Sequence, residues 1–217
     1  MDAAYEGVAA MLASHAYVMA GAERADSLVV NPHKWLFTPL DLSAFFCRRM
    51  EILRRAFRVT PEYLRTPEEG TVRNLMDDGV LLGRRFRSLK LWVILRSFGA
   101  RAIRGHLARH IDLAQQLARW IEEHPDFERL APSPFSVVCF RWRPAGRVMS
   151  EADIDRANLE LIERVNRTGD IFISQTAIHD RPAIRIAIGH LGTTDQHVRR
   201  AWELLIHHAN TLPVFRG

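Results

Sequence analysis

The stretch Ser27-Leu28-Val29-Val30-Asn31-Pro32-His33-Lys34-Trp35 decides how the rest of the chain is read. Ser27–Val30 is an apolar, β-prone run of strand length, and Pro32 stops a helix from continuing straight out of it. A lysine and an aromatic follow at once. A lysine at the end of a buried strand is expected to lose hydration, which lowers its pKa toward a nucleophilic amine. That is the state a Schiff-base lysine needs.

Around this stretch the chain reads as alternating elements. Residues 1–5 have the look of a strand tail, and Val8 to about Ala20 that of a short alanine-rich helix. Ser27–Val30 and Leu42–Cys47 follow as strands, with Thr38-Pro39 breaking between them. Strand, helix and strand at this spacing form a βαβ-sized unit, the building block of a mostly parallel sheet. Ligands of such sheets sit at the carboxyl ends of the strands, where Asp2 and Lys34 both fall.

Further on, Met50 to Phe57 suggests a basic helical turn or two, and Val59 to about Asp78 a long irregular loop, the kind that serves as a lid. Helical spacing returns from Arg84 to Phe98, with Gly99 as a stop, and again from about Arg101 to Glu123. Val137–Phe140, Ile171–Ile173 and Ala183–Ile188 read as strands. Ser150 caps a helix to Val165, with Asp153 at the capping-box position and Gly169 beyond it. A last helix starts near Thr194. This second half has the pattern of a small α+β domain with an antiparallel sheet, and the boundary is expected near residue 95.

Composition narrows the function. The chain has 217 residues, 47% of them hydrophobic, enough for a packed core. No run approaches a membrane span and no basic-then-apolar leader opens the sequence. Cys47 and Cys139 are far apart and suit a reducing cytosol. The net charge of +5 comes from arginines interleaved with carboxylates, a solvated face rather than a nucleic-acid footprint. His106 and His110 have metal-compatible spacing, but Leu107 stands where the HExxH pattern needs glutamate, so the pair reads as solvated and no metal is expected.

Asp2-Ala3-Ala4-Tyr5-Glu6-Gly7, Asn31–Trp35 and Leu82-Gly83-Arg84-Arg85-Phe86-Arg87-Ser88-Leu89-Lys90 occur in an order that resembles the aromatic-L-amino-acid decarboxylase family. These are group II decarboxylases that depend on pyridoxal phosphate. The likeness covers nearly the whole chain and corresponds to the C-terminal half of that family. It implies an α/β fold of fold type I: the C-terminal part of the large parallel-sheet domain over residues 1–95, with the lid loop, then a small α+β domain over 96–217.

The resemblance also implies roles. Asp2 matches the carboxylate that keeps the pyridine nitrogen protonated, Ala4 a residue against the ring, and Asn31 and His33 contacts of the cofactor phosphate. Lys34 matches the lysine that carries pyridoxal phosphate as a Schiff base. Tyr63, in Thr60-Pro61-Glu62-Tyr63-Leu64, matches a lid tyrosine that protonates Cα across a homodimer interface. Gly83 stands where histidine-specific relatives carry serine, which leaves room for an aromatic substrate. The expectation is a cytoplasmic lyase that converts an L-amino acid to its amine and CO2. Two alternatives stay open, an aldehyde-forming relative and a truncated, inactive fragment, because the family's upstream ring-stacking histidine and phosphate segment have no counterpart here.

Overall fold

Asp2 and Val29 are parallel neighbours, and the first sheet grows from that bridge. Ala3 N–H donates to Val29 O (3.0 Å), Val29 N–H to Met1 O (3.2 Å) and Asn31 N–H to Ala4 O (3.0 Å), so the chain start runs alongside Ser27–Val30 (β1). The connection between them is not the single α-helix expected over residues 8–20. It is a pair of 3-10 helices, Glu6–Met11 and Ala13–Met19, parted at Leu12, whose backbone is extended (φ −92°, ψ 129°). No side chain caps either piece, and Ser14, His15, Tyr17 and Val18 favour helix weakly.

The other neighbour of β1 departs from the parallel expectation. Ala44–Cys47 (β2) pairs antiparallel with β1, from Ser27 opposite Cys47 to Val30 opposite Ala44. Only one helical turn, Pro32–Trp35 (α1), lies between the two strands. A single turn is too little to carry the chain across a sheet face, as a parallel crossover must. Met50–Phe57 (α2) follows, as expected from the sequence.

The computed structural model describes residues 1–58, 72 and 74–212. It divides into two units, Met1–Ile103 and Arg104–Gly217. The long helix Arg87–Glu123 (α3) contains the division and starts three residues later than the periodicity suggests. It is interrupted at Gly99, whose φ of 73° and ψ of 158° place it where only glycine sits without strain, so the expected stop is a break between two helices.

The second unit is an antiparallel four-stranded sheet in the order β3-β4-β6-β5, made of Phe127–Arg129 (β3), Val137–Trp142 (β4), Ser174–Ile178 (β5) and Arg181–Ala187 (β6). Glu151–Arg167 (α4) and Asp195–Asn210 (α5) complete it. Leu117, Ile121, Phe140, Leu161, Ile184 and Leu205 are among its buried core residues. Ser150 Oγ accepts the Asp153 N–H (3.2 Å) at the start of α4, and Gly169 beyond its end is left-handed (φ 76°).

The expected strand at Ile171–Ile173 does not form. The side chain of Asn166 takes both backbone groups of Ile173, accepting its N–H (2.8 Å) and donating to its carbonyl (2.9 Å), so the ladder to β6 begins only at Ser174. Among the described residues no helix is long and apolar enough to cross a membrane.

Candidate active site

Lys34 stands on a turn whose inward positions are taken by others. Pro32 and Trp35 are buried, Trp35 completely, while His33 is half-buried and Lys34 exposed. Asn31 precedes the turn with extended backbone, Pro32 opens it, and Lys34 N–H donates to Asn31 O (2.9 Å). Tyr5 lies flat on Trp35, with ring centroids 5.0 Å apart and planes 4° from parallel. The first two motifs are thus packed on each other.

Gly7 lets them approach. A Cβ there would meet Ala3 Cβ at 2.9 Å and Val30 Cγ2 at 3.2 Å. The lysine, however, is not the buried strand-end amine anticipated from sequence. It is displaced one turn past β1 and is exposed, because Pro32 and Trp35 fill the apolar side.

The polar groups nearby are held in part by the chain and left open in part. Asp2 Oδ1 accepts the Ala4 N–H (2.9 Å), and its carboxylate has no cationic partner among the described residues. Asn31 Oδ1 accepts the Ser43 hydroxyl, which leaves the amide NH2 as a donor. His33 Nδ1 faces the backbone of Leu42, where it accepts the Leu42 N–H (3.0 Å) and lies 2.5 Å from the Leu42 carbonyl oxygen.

The lysine count carries a signal that the motif reading overlooked. Of 30 basic Lys and Arg residues, only Lys34 and Lys90 are lysines. Lys90 Nζ donates to Pro39 O (2.9 Å) and Asp41 O (2.8 Å), whereas Lys34 Nζ has no partner among the described residues. One open amine, one uncompensated carboxylate and spare donors at Asn31 form a donor set that suits a phosphorylated pyridine aldehyde.

The third motif is fastened beside them. Arg85 Nη2 donates to Asp41 Oδ1 (2.7 Å) and Arg87 Nε to Asp41 Oδ2 (3.1 Å). Desolvation pushes the Asp41 carboxyl up, but hydrogen bonds from its own backbone and from Arg87, with the Arg85 and Arg87 charges, outweigh it and hold the group below the ordinary carboxylate range. A Cβ at Gly83 would meet nothing within 4 Å, so neither packing nor backbone of this chain demands glycine there. Just before it, Ala56, Phe57, Met76, Gly79, Val80 and Leu82 line a cavity of about 320 Å³.

Tyr63 and its Thr60–Leu64 motif lie outside the described residues. His106 and His110 are not the solvated pair expected: His110 is buried and its Nε2 bonds to the His190 carbonyl at 3.1 Å. No group of three or more metal-ligating side chains occurs among the described residues.

The fold is that of the fold-type-I pyridoxal-phosphate enzymes, and in it Lys34 stands one turn past β1 while Asp2 is bridged to Val29 of that strand. The chain belongs to the pyridoxal-dependent decarboxylases, since its residues 1–143 match the family model described as the pyridoxal-dependent decarboxylase conserved domain. It is 36% identical over 209 residues to tryptophan decarboxylase 1 of Oryza sativa subsp. japonica, covering 94% of this chain and 41% of that protein. With tyrosine decarboxylase 2 of Arabidopsis thaliana it shares 37% over 212 residues, 97% of this chain and 38% of the other. The crystal structure of Oryza sativa TDC with PLP and tryptamine superposes with a TM-score of 0.89 at 36% identity, over 97% of this chain and 44% of that one. The chain therefore spans about two fifths of the length of these relatives.

Proposed function

We propose that this chain is part of a pyridoxal-phosphate-dependent lyase that decarboxylates an aromatic L-amino acid to its amine. The observation that carries the proposal is the contrast between the two lysines: Lys90 is held by two carbonyls, whereas Lys34 has no partner among the described residues and stands one turn past the strand whose Val29 neighbours Asp2. Bound pyridoxal phosphate supplies a sink for the electrons left at Cα when the substrate carboxylate departs as CO2.

The chain's own residues do the rest. Lys34 provides the amine that attaches the cofactor, and Asp2 holds a proton at the pyridine nitrogen. Ala4 packs against the ring, and Asn31 and His33 take the phosphate. Tyr63 delivers a proton to Cα after CO2 has left, from a lid that serves a partner subunit. Gly83 leaves space for the substrate ring, a role supported by the open space that a Cβ there would meet. The aromatic substrate is supported by the relatives, which are tryptophan and tyrosine decarboxylases.

A homodimer belongs to the same proposal. Phe86, Leu89 and Trp92 leave an exposed apolar strip at the start of α3, of the kind that monomers seldom keep. A cytoplasmic location fits Cys47 and Cys139, both free thiols. A second reading, an aldehyde-forming enzyme, is favoured by phenylacetaldehyde synthase of Arabidopsis thaliana, 35% identical over 214 residues.

The test is to add pyridoxal phosphate, reduce with borohydride and map the modified residue. Modification of Lys34 is expected, and modification of Lys90 alone or of no lysine refutes the proposal. Incubation with L-tryptophan or L-tyrosine then separates the readings. Amine and CO2 support the lyase, and Tyr63→Phe should lose amine while keeping the cofactor. Aldehyde from the unaltered protein supports the second reading.

A further inference from the structure

We propose that Asp41 is a positioning residue, which locks the segment carrying Gly83 to the turn carrying Lys34 so that substrate and cofactor sites move as one piece. The inference rests on the function proposed above and concerns a residue outside the three motifs.

Four contacts from three cations converge on residues 39–41. Arg85 and Arg87 hold the two carboxylate oxygens of Asp41 (2.7 and 3.1 Å), and Lys90 holds the carbonyls of Pro39 and Asp41 (2.9 and 2.8 Å). Arg87 and Lys90 sit in the first turn of α3, where a cation is unfavourable and an anion is wanted. That turn has no acidic residue of its own. Asp41 supplies the anion from a different segment, so the start of α3 is electrostatically complete only when docked on it.

The residues that follow Asp41 reach the other side of the site. Leu42 O accepts the His33 N–H (3.4 Å) and contacts His33 Nδ1 (2.5 Å), and the Ser43 hydroxyl donates to Asn31. Asp41 thus joins Gly83, two residues before Arg85, to both residues assigned to the phosphate.

The test uses the protein that carries this chain at its natural length, with Asp41→Asn, Asp41→Glu, Arg87→Gln and the double variant D41N/R87Q. In Asp41→Asn, KM for L-tryptophan or L-tyrosine should rise about tenfold, with kcat changed by less than about threefold, as expected for lost positioning rather than lost chemistry. The affinity for tryptamine, read by calorimetry, should fall in the same proportion, and borohydride should still mark Lys34. Arg87→Gln should match Asp41→Asn, the double variant should be no worse than either, and Asp41→Glu should recover part of the loss. Hydrogen exchange should quicken in residues 82–90 and 31–35 together.

Additive losses, an unchanged KM with a lowered Tm, or quickened exchange in only one of the two segments would overturn the role. Should Asp41→Asn not fold, Arg85→Gln and Arg87→Gln test the same contacts from α3, and unchanged KM and exchange in both refute it. An unmodified Lys34 in the unaltered protein refutes the cofactor reading instead, and the exchange data tell that result apart from a failed clamp.

Discussion

Tyr5 stacks on Trp35 with ring centroids 5.0 Å apart and planes 4° from parallel. The contact joins the segment that begins with Asp2 to the turn that ends after Lys34. A carboxylate and an amine far apart in the chain are therefore referred to one buried ring, which is 0% exposed.

Trp35→Ala should be severe, because truncating a fully buried tryptophan removes its burial and leaves a cavity. A loss of about 3–5 kcal/mol is expected in denaturant unfolding, together with loss of cofactor attachment at Lys34. Tyr5→Leu keeps apolar contact and forfeits the ring-on-ring geometry, at about 1 kcal/mol. A Trp35→Ala protein with unaltered stability would show that the turn is held by something else.

Asp2→Asn preserves the acceptor for Ala4 N–H and removes the charge. The cofactor should still attach, while kcat falls by about 10²-fold or more, as when a preorganised electrostatic partner is removed. Normal turnover in this variant would exclude Asp2 as the group that keeps the ring nitrogen protonated.

His110 makes the second unit sensitive to acid. Burial pushes its imidazole below the ordinary value of 6.5, with the His106, Arg109 and His190 charges acting the same way, and the bond to the His190 carbonyl opposes them only in part. A depressed folded-state pKa means that the unfolded chain binds the proton more readily. Its contribution is fully present above about pH 6.5 and is lost as pH falls from there toward the folded value, by up to about 1.4 kcal/mol per pH unit. His110→Gln should flatten the pH dependence of urea unfolding below that point, and an unchanged slope would count against the assignment.

Asn158 closes the junction of α4 with β4 by accepting Trp142 N–H (2.8 Å) and donating to the carbonyls of Trp142 (2.9 Å) and Ile154 (2.8 Å), all buried. Asn158→Leu fills the space but orphans the Trp142 backbone, so a destabilisation of about 1–3 kcal/mol is expected. A neutral effect in thermal or chemical unfolding would mean that water or a backbone shift satisfies Trp142.

Several features were legible in the sequence because the forces that make them act within a few residues. Ser150 and Gly169 bracket α4, Gly99 interrupts α3, and the apolar run Ser27–Val30 is a strand. Lys34 is marked by its place after the apolar run and by its motif, Asp2 by its motif, and the scarcity of lysine in the same sequence strengthens the choice.

The tertiary structure decided whatever depends on groups distant in the chain. Burial of Pro32 and Trp35 turned Lys34 out to solvent instead of burying it. The single turn of α1 sent β2 back antiparallel, and the Asn166 side chain took the backbone of Ile173 away from β6. His110 lost its solvent to a carbonyl 80 residues away, and Asp41, unremarkable in sequence, gathered Arg85, Arg87 and Lys90 from more than forty positions on. Helix caps and hydrophobic period are local quantities that a sequence carries openly. Which polar group finds which partner depends on chain closure, which no local pattern encodes.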